Sequence, residues 1–198
     1  STMGTFPGAG FFDRFNAEVT RAIGGAFGVG LEESVLNTYL RLAFNYEDGD
    51  QIYLFGFSRG AYAARRLSGF INTAGIVSRR HTDQALKGFQ LYQSKPRDGA
   101  TAEQHQEHEA KALEFRRAYG KGARNEDGTR RAVDAPPPIT YLGVFDTVRQ
   151  RGAAEVMSTL FGSKRKLRNL RICPNVMAAR HAVAIDECRL GFPSTRWE

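Results

Sequence analysis

The stretch QIYLFGFSRGAYAARRLSGFINTAG, residues 51–75, decides the fold that this sequence predicts. Its first part, QIYLFGF, is a short apolar run rich in β-forming residues, as in a buried parallel strand. After it, apolar side chains recur at helical spacing through Ala61, Ala64, Leu67 and Phe70. The stretch therefore predicts a strand, a sharp turn and a helix, which together form a building unit of α/β proteins.

The turn in this unit contains GFSRG, residues 56–60, which matches the pattern G-x-S-x-G. Between a strand and a helix, this pattern sets a serine on a strained turn that lifts its hydroxyl above the sheet edge. Ser58 is therefore the candidate nucleophile, Gly56 and Gly60 are the elbow glycines, and the backbone N–H of Arg59 is the candidate oxyanion-hole donor. The alternative is a chance match to the pattern at a tight turn.

The segments around this unit extend the alternation of helices and strands. Residues 31–44 carry apolar side chains at helical spacing, and ITYLGVF, residues 139–145, is typical of a second buried strand. Residues 175–192, NVMAARHAVAIDECRLGF, return to helical spacing and predict a further helix. We therefore predict an α/β fold of the α/β-hydrolase type, with a mostly parallel sheet and flanking helices.

Residues 78–138 differ in composition from the segments on either side. They are polar and highly charged, show helical periodicity at about 82–92 and 102–119, and end in the proline-rich sequence DAPPP. We interpret this region as a charged helical insertion, joined by loops, within a single domain that covers residues 1–198.

Asp146 directly follows the second predicted strand. Active groups in open α/β sheets collect at the carboxyl ends of the strands, and the acid of an α/β-hydrolase follows the nucleophile in the chain. Asp146 is therefore the candidate triad acid. The alternative is an aspartate that caps the next turn together with Thr147.

The general base should be a histidine beyond Asp146, and His181 is the histidine in that part of the sequence. It falls inside a predicted helix, whereas the base of a hydrolase follows the last strand. A histidine that packs in the protein interior is the alternative for this residue. His105 and His108 share a helical face in the charged region, and we expect both to be solvated.

The sequence is basic, with 28 Lys and Arg against 21 Asp and Glu and a formal net charge of +7. This excess suits an anionic partner such as a membrane surface. Part of it lies in a run that includes Lys164, Lys166 and Arg171, for which a solvated face is the simplest interpretation. The sequence has no nucleic-acid-binding motif and no platform of basic and aromatic residues, which argues against nucleic acid as a partner.

The two cysteines, Cys173 and Cys188, lie in separate segments without the spacing of metal ligands. We therefore expect reduced thiols, no metal site and no cofactor. No stretch approaches the roughly 20 apolar residues that a membrane span requires. The first residues also lack the basic and apolar regions of a signal peptide.

Three segments of the sequence resemble segments of one protein family, and they occur in the same order as in that family. They are residues 45–77, NYEDGDQIYLFGFSRGAYAARRLSGFINTAGIV, residues 141–148, YLGVFDTV, and residues 179–197, ARHAVAIDECRLGFPSTRW. The family is the bacterial and fungal α/β-hydrolases that include the first class of type VI secretion lipase effectors, which are phospholipases. The resemblance implies a serine esterase or phospholipase that works through an acyl-enzyme, with Ser58 as nucleophile and Asp146 as triad acid.

Compared with that family, the sequence resembles the central part. The family's first strand ends in a DGT-like turn that helps to form the oxyanion hole. This strand and its turn have no counterpart before Gly4. The family's catalytic histidine lies on a strand and glycine-rich loop beyond the tryptophan that Trp197 matches, and His181 matches a different histidine. We therefore expect a catalytically incomplete chain that hydrolyses esters feebly, because a serine without its base is a poor nucleophile. The alternative is a non-catalytic interaction module derived from a hydrolase.

The resemblance also implies partners and a location. The substrate would be a lipid or another carboxylic ester, and the protein partners would be a secretion apparatus or an immunity protein. A protein of this kind would be cytoplasmic in the producing cell and secreted without a signal peptide.

Overall fold

The computed structural model describes residues 29–96, 99–122, 134–145, 171–185 and 197. Its elements in chain order are α1 (Val29–Asn45), β1 (Ile52–Phe57), α2 (Arg59–Ala74), a 3-10 helix (Arg79–Gln84), α3 (Ala85–Gln93), α4 (Ala102–Tyr119), β2 (Ile139–Phe145) and β3 (Ala179–Ala182). The structure confirms the two predicted strands, β1 and β2, and the predicted helices on either side of β1, which are α1 and α2. In the described ranges, no helix is both long enough and apolar enough to cross a membrane.

The three strands form a parallel sheet in the order β1-β2-β3. β1 pairs with β2 from Ile52 opposite Ile139 to Phe57 opposite Phe145. β2 pairs with β3 so that Phe145 also lies opposite Ala182. The strands therefore end at the same level, and residues that follow them in the chain start from one edge of the sheet. A parallel sheet with flanking helices confirms the predicted α/β class.

One face of the sheet packs directly against α2. Leu142 and Val144 of β2 form a buried cluster with Ala61 and Ala64 of α2. Alanine side chains are short, so the helix axis can lie close to the sheet. This contact holds the first turns of α2 against β2.

The main core lies mostly between α2 and the other helices, and it also includes Ile52 and Ile139 at the starts of β1 and β2. Tyr39 of α1 stacks on Phe70 of α2 with ring centroids 3.9 Å apart. Phe89 and Tyr92 of α3 and Phe115 of α4 belong to the same buried cluster. The described part of the protein is thus layered as sheet, α2 and outer helices, and the aromatic cluster joins the last two layers.

The region interpreted as a helical insertion contains the helices that its periodicity predicts. However, α3 and α4 contribute to the main core, and the buried Arg116 of α4 donates a hydrogen bond of 2.8 Å to the carbonyl oxygen of Thr73 in α2. In the described part of this region, Phe89, Tyr92 and Phe115 therefore face the main core, and most of the charged side chains lie on the outer surface.

His108 corrects the expectation that both histidines of α4 are solvated. It is buried, and its Nε2 lies 2.9 Å from the carbonyl oxygen of Leu91 in α3. His105 is exposed, as predicted. The two histidines differ because α4 packs on α3 along a narrow stripe that includes only the second of them.

The helix predicted at residues 175–192 is wrong in its first part, where Ala179–Ala182 form β3. The N–H of Leu142 donates to the carbonyl oxygen of Ala178 at 2.9 Å as this pairing begins. An open edge of β2 offers a row of backbone hydrogen-bonding groups, and pairing with them outweighs the helical spacing of a few small residues. Residues 186–192 of the predicted helix lie outside the described residues, as do Cys188 and residues 164–168 of the basic run.

Candidate active site

Ser58 lies at the junction of β1 and α2, between the last residue of the strand and the first residue of the helix. Its φ and ψ angles are 53° and −117°, and it is the one non-glycine residue with positive φ in the part of the chain that the structure describes. Such a backbone conformation costs on the order of 1–3 kcal/mol and is found mainly at functional sites. The Ser58 side chain makes no capping hydrogen bond to α2. Its hydroxyl is thus not used to hold the helix.

The close crossing of strand and helix at this turn depends on Gly56. A Cβ atom at Gly56 would lie 2.3 Å from the carbonyl oxygen of Gly60 and 2.7 Å from the Cα of Ala61. By contrast, a Cβ atom at Gly60 would meet nothing within 4 Å. Glycines on both sides of the serine were expected to let the strand and the helix approach each other, but the two positions differ. Gly56 makes room for the crossing, and the backbone of Gly60 lies in that room.

A backbone hydrogen bond ties the turn to the second strand. The N–H of Ser58 donates to the carbonyl oxygen of Phe145, the last residue of β2, at 2.9 Å. Asp146 is the next residue in the chain and lies outside the described residues. Its role as the triad acid therefore stays a prediction, which this bond makes reasonable because it fixes Ser58 to the strand that leads to Asp146.

The N-terminus of α2 supplies hydrogen-bond donors next to Ser58. The N–H of Tyr62 donates to the carbonyl oxygen of Ser58 at 3.2 Å as the first turn of the helix closes. The first N–H groups of the helix belong to Arg59, Gly60 and Ala61. They have no partner within the helix. Together with the helix dipole they favour negative charge at this point. The Arg59 side chain is exposed and lies beyond this backbone site.

His181 lies on β3, two strands away from β1. Its register partner is Val144, which in turn lies opposite Gly56. Two strand spacings, about 10 Å, therefore separate the backbones of β3 and β1. The His181 ring packs edge-on against Trp197, with ring centroids 5.3 Å apart. His181 is half-buried, and both its role as a base and the alternative of a histidine packed in the interior stay predictions.

A buried arginine beside this histidine was missed by the sequence analysis. Arg65 is 1% exposed, and its guanidinium carbon lies 5.3 Å from the centre of the Trp197 ring. Burial lowers the pKa of Arg65 to about 10, and burial also raises the pKa of the nearby Cys173 thiol, which is therefore a poor nucleophile. Arg65 follows Ala61 by four residues, so the helical spacing of α2 was the signal that could have revealed its burial.

No metal-binding cluster accompanies these residues. Over the described ranges, no group of three or more His, Cys, Asp and Glu side chains could hold a metal ion. The arrangement instead combines a strained serine with unpaired backbone N–H groups at a helix N-terminus. Those are the elements that serve nucleophilic attack by a hydroxyl and stabilise a developing oxyanion.

Comparison with known proteins gives a match over nearly the whole chain. Residues 2–198 match the family described as T6SS, phospholipase effector Tle1-like, catalytic domain. The uncharacterized protein YEL023C of Saccharomyces cerevisiae is 30% identical over 167 residues, which cover 84% of this chain and 21% of that relative. The chain thus spans about a fifth of the length of the curated relative that it matches. No solved structure matches it.

Proposed function

Because the chain belongs to the family of Tle1-like phospholipase effectors of type VI secretion and matches their catalytic domain, we propose that it is a serine esterase of the α/β-hydrolase fold. Its function is of the lipase type, and its substrate is a lipid. The finer proposal is that hydrolysis of a carboxylic ester of that lipid passes through an acyl-enzyme on Ser58.

The observation that carries this proposal is the backbone of Ser58. A φ angle of 53° at the end of a parallel strand and immediately before a helix is costly for a serine. A turn without a chemical role would keep a glycine there, since glycine adopts positive φ without a penalty. The strain therefore supports a nucleophile whose hydroxyl must stand above the sheet edge.

In the proposed reaction, the Ser58 Oγ attacks the carbonyl carbon of the ester and its proton passes to a histidine base. The backbone N–H of Arg59 stabilises the negative charge on the carbonyl oxygen. The C–O bond to the leaving alcohol then breaks, the base returns the proton to that alcohol, and the acyl group remains on Ser58. Water hydrolyses the acyl-enzyme by the same steps and releases a carboxylic acid.

Asp146 is proposed to orient the base, as the acid of a Ser-His-Asp triad does. The hydrogen bond between Ser58 and Phe145 supports this role, because it joins the nucleophile to the strand that precedes Asp146. His181 is the candidate base within this sequence. Its contact with Trp197 and the two strand spacings to β1 support that role poorly, and the family resemblance assigns the base to a later glycine-rich loop.

A non-catalytic interaction module is the second candidate, and the packing of His181 against Trp197 is the observation that favours it. A serine without a nearby base keeps the pKa of an ordinary alcohol and reacts slowly. Both candidates retain an anionic lipid surface as a partner. We further propose a secretion apparatus or an immunity protein as partners, and synthesis in the cytoplasm followed by secretion without a signal peptide.

The deciding experiment is covalent labelling with a fluorophosphonate probe, together with release of fatty acid from phospholipid vesicles. The parent chain, Ser58→Ala and the control Ser34→Ala would be compared, because Ser34 is exposed on α1. Labelling of the parent and of Ser34→Ala, but not of Ser58→Ala, supports the serine esterase. A folded parent chain that does not react with the probe supports the interaction module, and labelling that persists in Ser58→Ala contradicts the proposed nucleophile.

A further inference from the structure

Ser58 does not cap the helix that it precedes. It occupies the N-cap position of α2, but its side chain makes no capping hydrogen bond to the helix. By contrast, the Thr101 side chain at the start of α4 accepts a hydrogen bond from the Gln104 N–H at 3.3 Å. A side-chain cap stabilises the first turn of a helix, and a turn without one opens more easily. The first turn of α2 therefore needs support from other contacts.

The absence of a capping bond from Ser58 is compatible with the chemistry proposed for this turn. A serine that capped α2 would engage its own hydroxyl and one of the N–H groups at the helix N-terminus. Neither group would then be free to react or to stabilise an oxyanion. The bond that closes the turn instead joins the backbone N–H of Tyr62 to the carbonyl oxygen of Ser58, at 3.2 Å. Contacts of the Tyr62 side chain can therefore stabilise the turn without using its N–H donors.

Arg66 supplies such a contact. It lies one turn after Tyr62 on α2, and long helical side chains lean towards the helix N-terminus. Its Nη1 donates a hydrogen bond of 3.5 Å to the Tyr62 hydroxyl, and its guanidinium carbon lies 5.9 Å from the centre of the Tyr62 ring. Arg66 is buried and Tyr62 is half-buried. The charge and the ring therefore attract each other in surroundings where water screens them little.

Arg66 is in turn held by residues of two other helices. Its Nη2 lies 3.5 Å from a carboxylate oxygen of Glu32 in α1, and the Gln93 side chain of α3 donates to the other oxygen at 3.2 Å. The ring centres of Phe89 and Tyr92 in α3 lie 5.7 Å and 5.5 Å from the guanidinium carbon. A planar guanidinium with partners on several sides has little freedom to move. Arg66 thus connects the first turn of α2 to the packed helices α1 and α3.

We propose that Tyr62 and Arg66 are positioning residues that hold the first turn of α2 and so keep the backbone N–H of Arg59 in place for the oxyanion. Arg66 acts through Tyr62, and Tyr62 acts through the backbone of its own turn. The proposal rests on the proposed function, because it concerns the oxyanion hole of the reaction at Ser58. The competing explanation is that Arg66 stabilises the fold as a whole and has no particular effect on this turn.

Amide hydrogen exchange followed by NMR separates the opening of this turn from the unfolding of the whole chain. Tyr62→Leu removes the ring and the hydroxyl that Arg66 contacts, and it leaves the pair of Arg66 and Glu32 in place. We expect the N–H of residue 62, corrected for its intrinsic rate, to exchange at least about tenfold faster relative to the N–H of Leu67 in the middle of α2. Tyr62→Phe keeps the ring beside the guanidinium and should exchange like the parent.

Tyr119→Leu is the matched control for Tyr62→Leu. Tyr119 is also half-buried and also lies near a cation, with the Lys87 Nζ 5.5 Å from its ring centre. It belongs to α4 and lies beyond the other end of α2, where its carbonyl oxygen accepts a hydrogen bond from the Ser78 N–H at 2.9 Å. We expect Tyr119→Leu to change the ratio of the two exchange rates by less than about twofold. Equal ratios in the two variants would overturn the proposal, because the effect of Tyr62 would then be general.

The second measurement is the limiting rate of Ser58 labelling by a fluorophosphonate, whose phosphoryl oxygen takes the place of the carbonyl oxygen of an ester. We expect Tyr62→Leu to lower this rate about tenfold, with a smaller change in the probe concentration that gives half of it, and Tyr119→Leu to leave both unchanged. A turn that opens in Tyr62→Leu without slower labelling also overturns the proposal. If the parent chain is not labelled, the proposed function fails and the oxyanion role fails with it. Selective opening of the turn in Tyr62→Leu would then still show that Tyr62 and Arg66 hold the start of α2.

Discussion

Ser58 and Phe145 are joined by a backbone hydrogen bond of 2.9 Å, in which the N–H of Ser58 donates to the carbonyl oxygen of Phe145. The bond extends the pairing of β1 and β2 by one residue into the turn. It holds the strained serine against the end of the neighbouring strand, so the position of its side chain is set by the sheet and by α2 together. That arrangement holds Ser58 in place without a capping hydrogen bond from its hydroxyl.

The two elbow glycines should differ sharply in their tolerance of a side chain. Gly56→Ala would force a Cβ atom into the backbone of Gly60, and we expect a loss of stability of about 1–3 kcal/mol or more. Gly60→Ala meets open space in the first turn of α2, and should be neutral or stabilising by up to about 1 kcal/mol. Urea unfolding followed by circular dichroism measures both. Equal effects of the two substitutions would contradict the steric role of Gly56.

The strain at Ser58 should appear as a gain in stability when it is relieved. Ser58→Gly removes the Cβ that makes positive φ costly, whereas Ser58→Ala keeps it. We therefore expect Ser58→Gly to unfold at a higher urea concentration than Ser58→Ala, with a free energy of unfolding about 1 kcal/mol larger. Neither variant should react with a fluorophosphonate. A Ser58→Ala protein as stable as Ser58→Gly would show that the turn is not strained.

His181 is expected to act through packing. Since its ring lies against Trp197, His181→Ala should lower the free energy of unfolding by about 1–3 kcal/mol. It should change ester turnover by less than about tenfold, measured on a soluble short-chain ester. A triad base would behave differently, because its loss removes several orders of magnitude in rate. Robust turnover that both Ser58→Ala and His181→Ala abolish would make His181 the base after all.

Replacing only one member of the buried pair of Arg66 and Glu32 should strongly lower the free energy of unfolding. The Arg66 guanidinium lies 3.5 Å from the Glu32 carboxylate and 5.5 Å from the Tyr92 ring centre, which links α1, α2 and α3. Arg66→Met leaves the buried Glu32 carboxylate with a hydrogen bond from Gln93 but without its charged partner, and we expect a loss of about 3–5 kcal/mol. The double variant Glu32→Leu with Arg66→Met should regain most of that loss. A double-mutant cycle measures the difference, and simple additivity would argue against a coupled pair.

Residues 78–138 should be indispensable for folding. An insertion that merely hangs from a domain could be replaced by a short glycine and serine linker without harm. Here Phe89, Tyr92 and Phe115 belong to the main core, so we expect the shortened chain to lose its cooperative unfolding transition. Calorimetry of the shortened and full chains tests this. A sharp transition in the shortened chain would show that these residues are not needed for cooperative folding.

The sequence was sufficient for the parts of the fold whose signals are local. The apolar runs before Ser58 and Asp146 predict β1 and β2, and the stripe from Ala61 to Phe70 predicts α2. The G-x-S-x-G pattern locates Ser58 because a strand, a strained turn and a helix must succeed one another within a few residues. A run of side chains with one period reports directly on its own backbone, which is why the predictions of β1, β2 and α2 are confirmed.

The remaining features of the fold depend on contacts between residues that are far apart in the chain. Only the tertiary structure could show them. β3 exists because residues 179–182 find the edge of β2, although their own spacing favours a helix. Arg65 and His108 are buried because neighbouring elements cover them, and no local pattern records a neighbour. The side chains of Leu142 and Val144 face α2 because Ala61 and Ala64 pack on them, whereas the sequence of β2 shows only an apolar strand. Periodicity therefore determined the elements, and long-range packing determined which of their faces is buried, since burial is a property of contacts between elements.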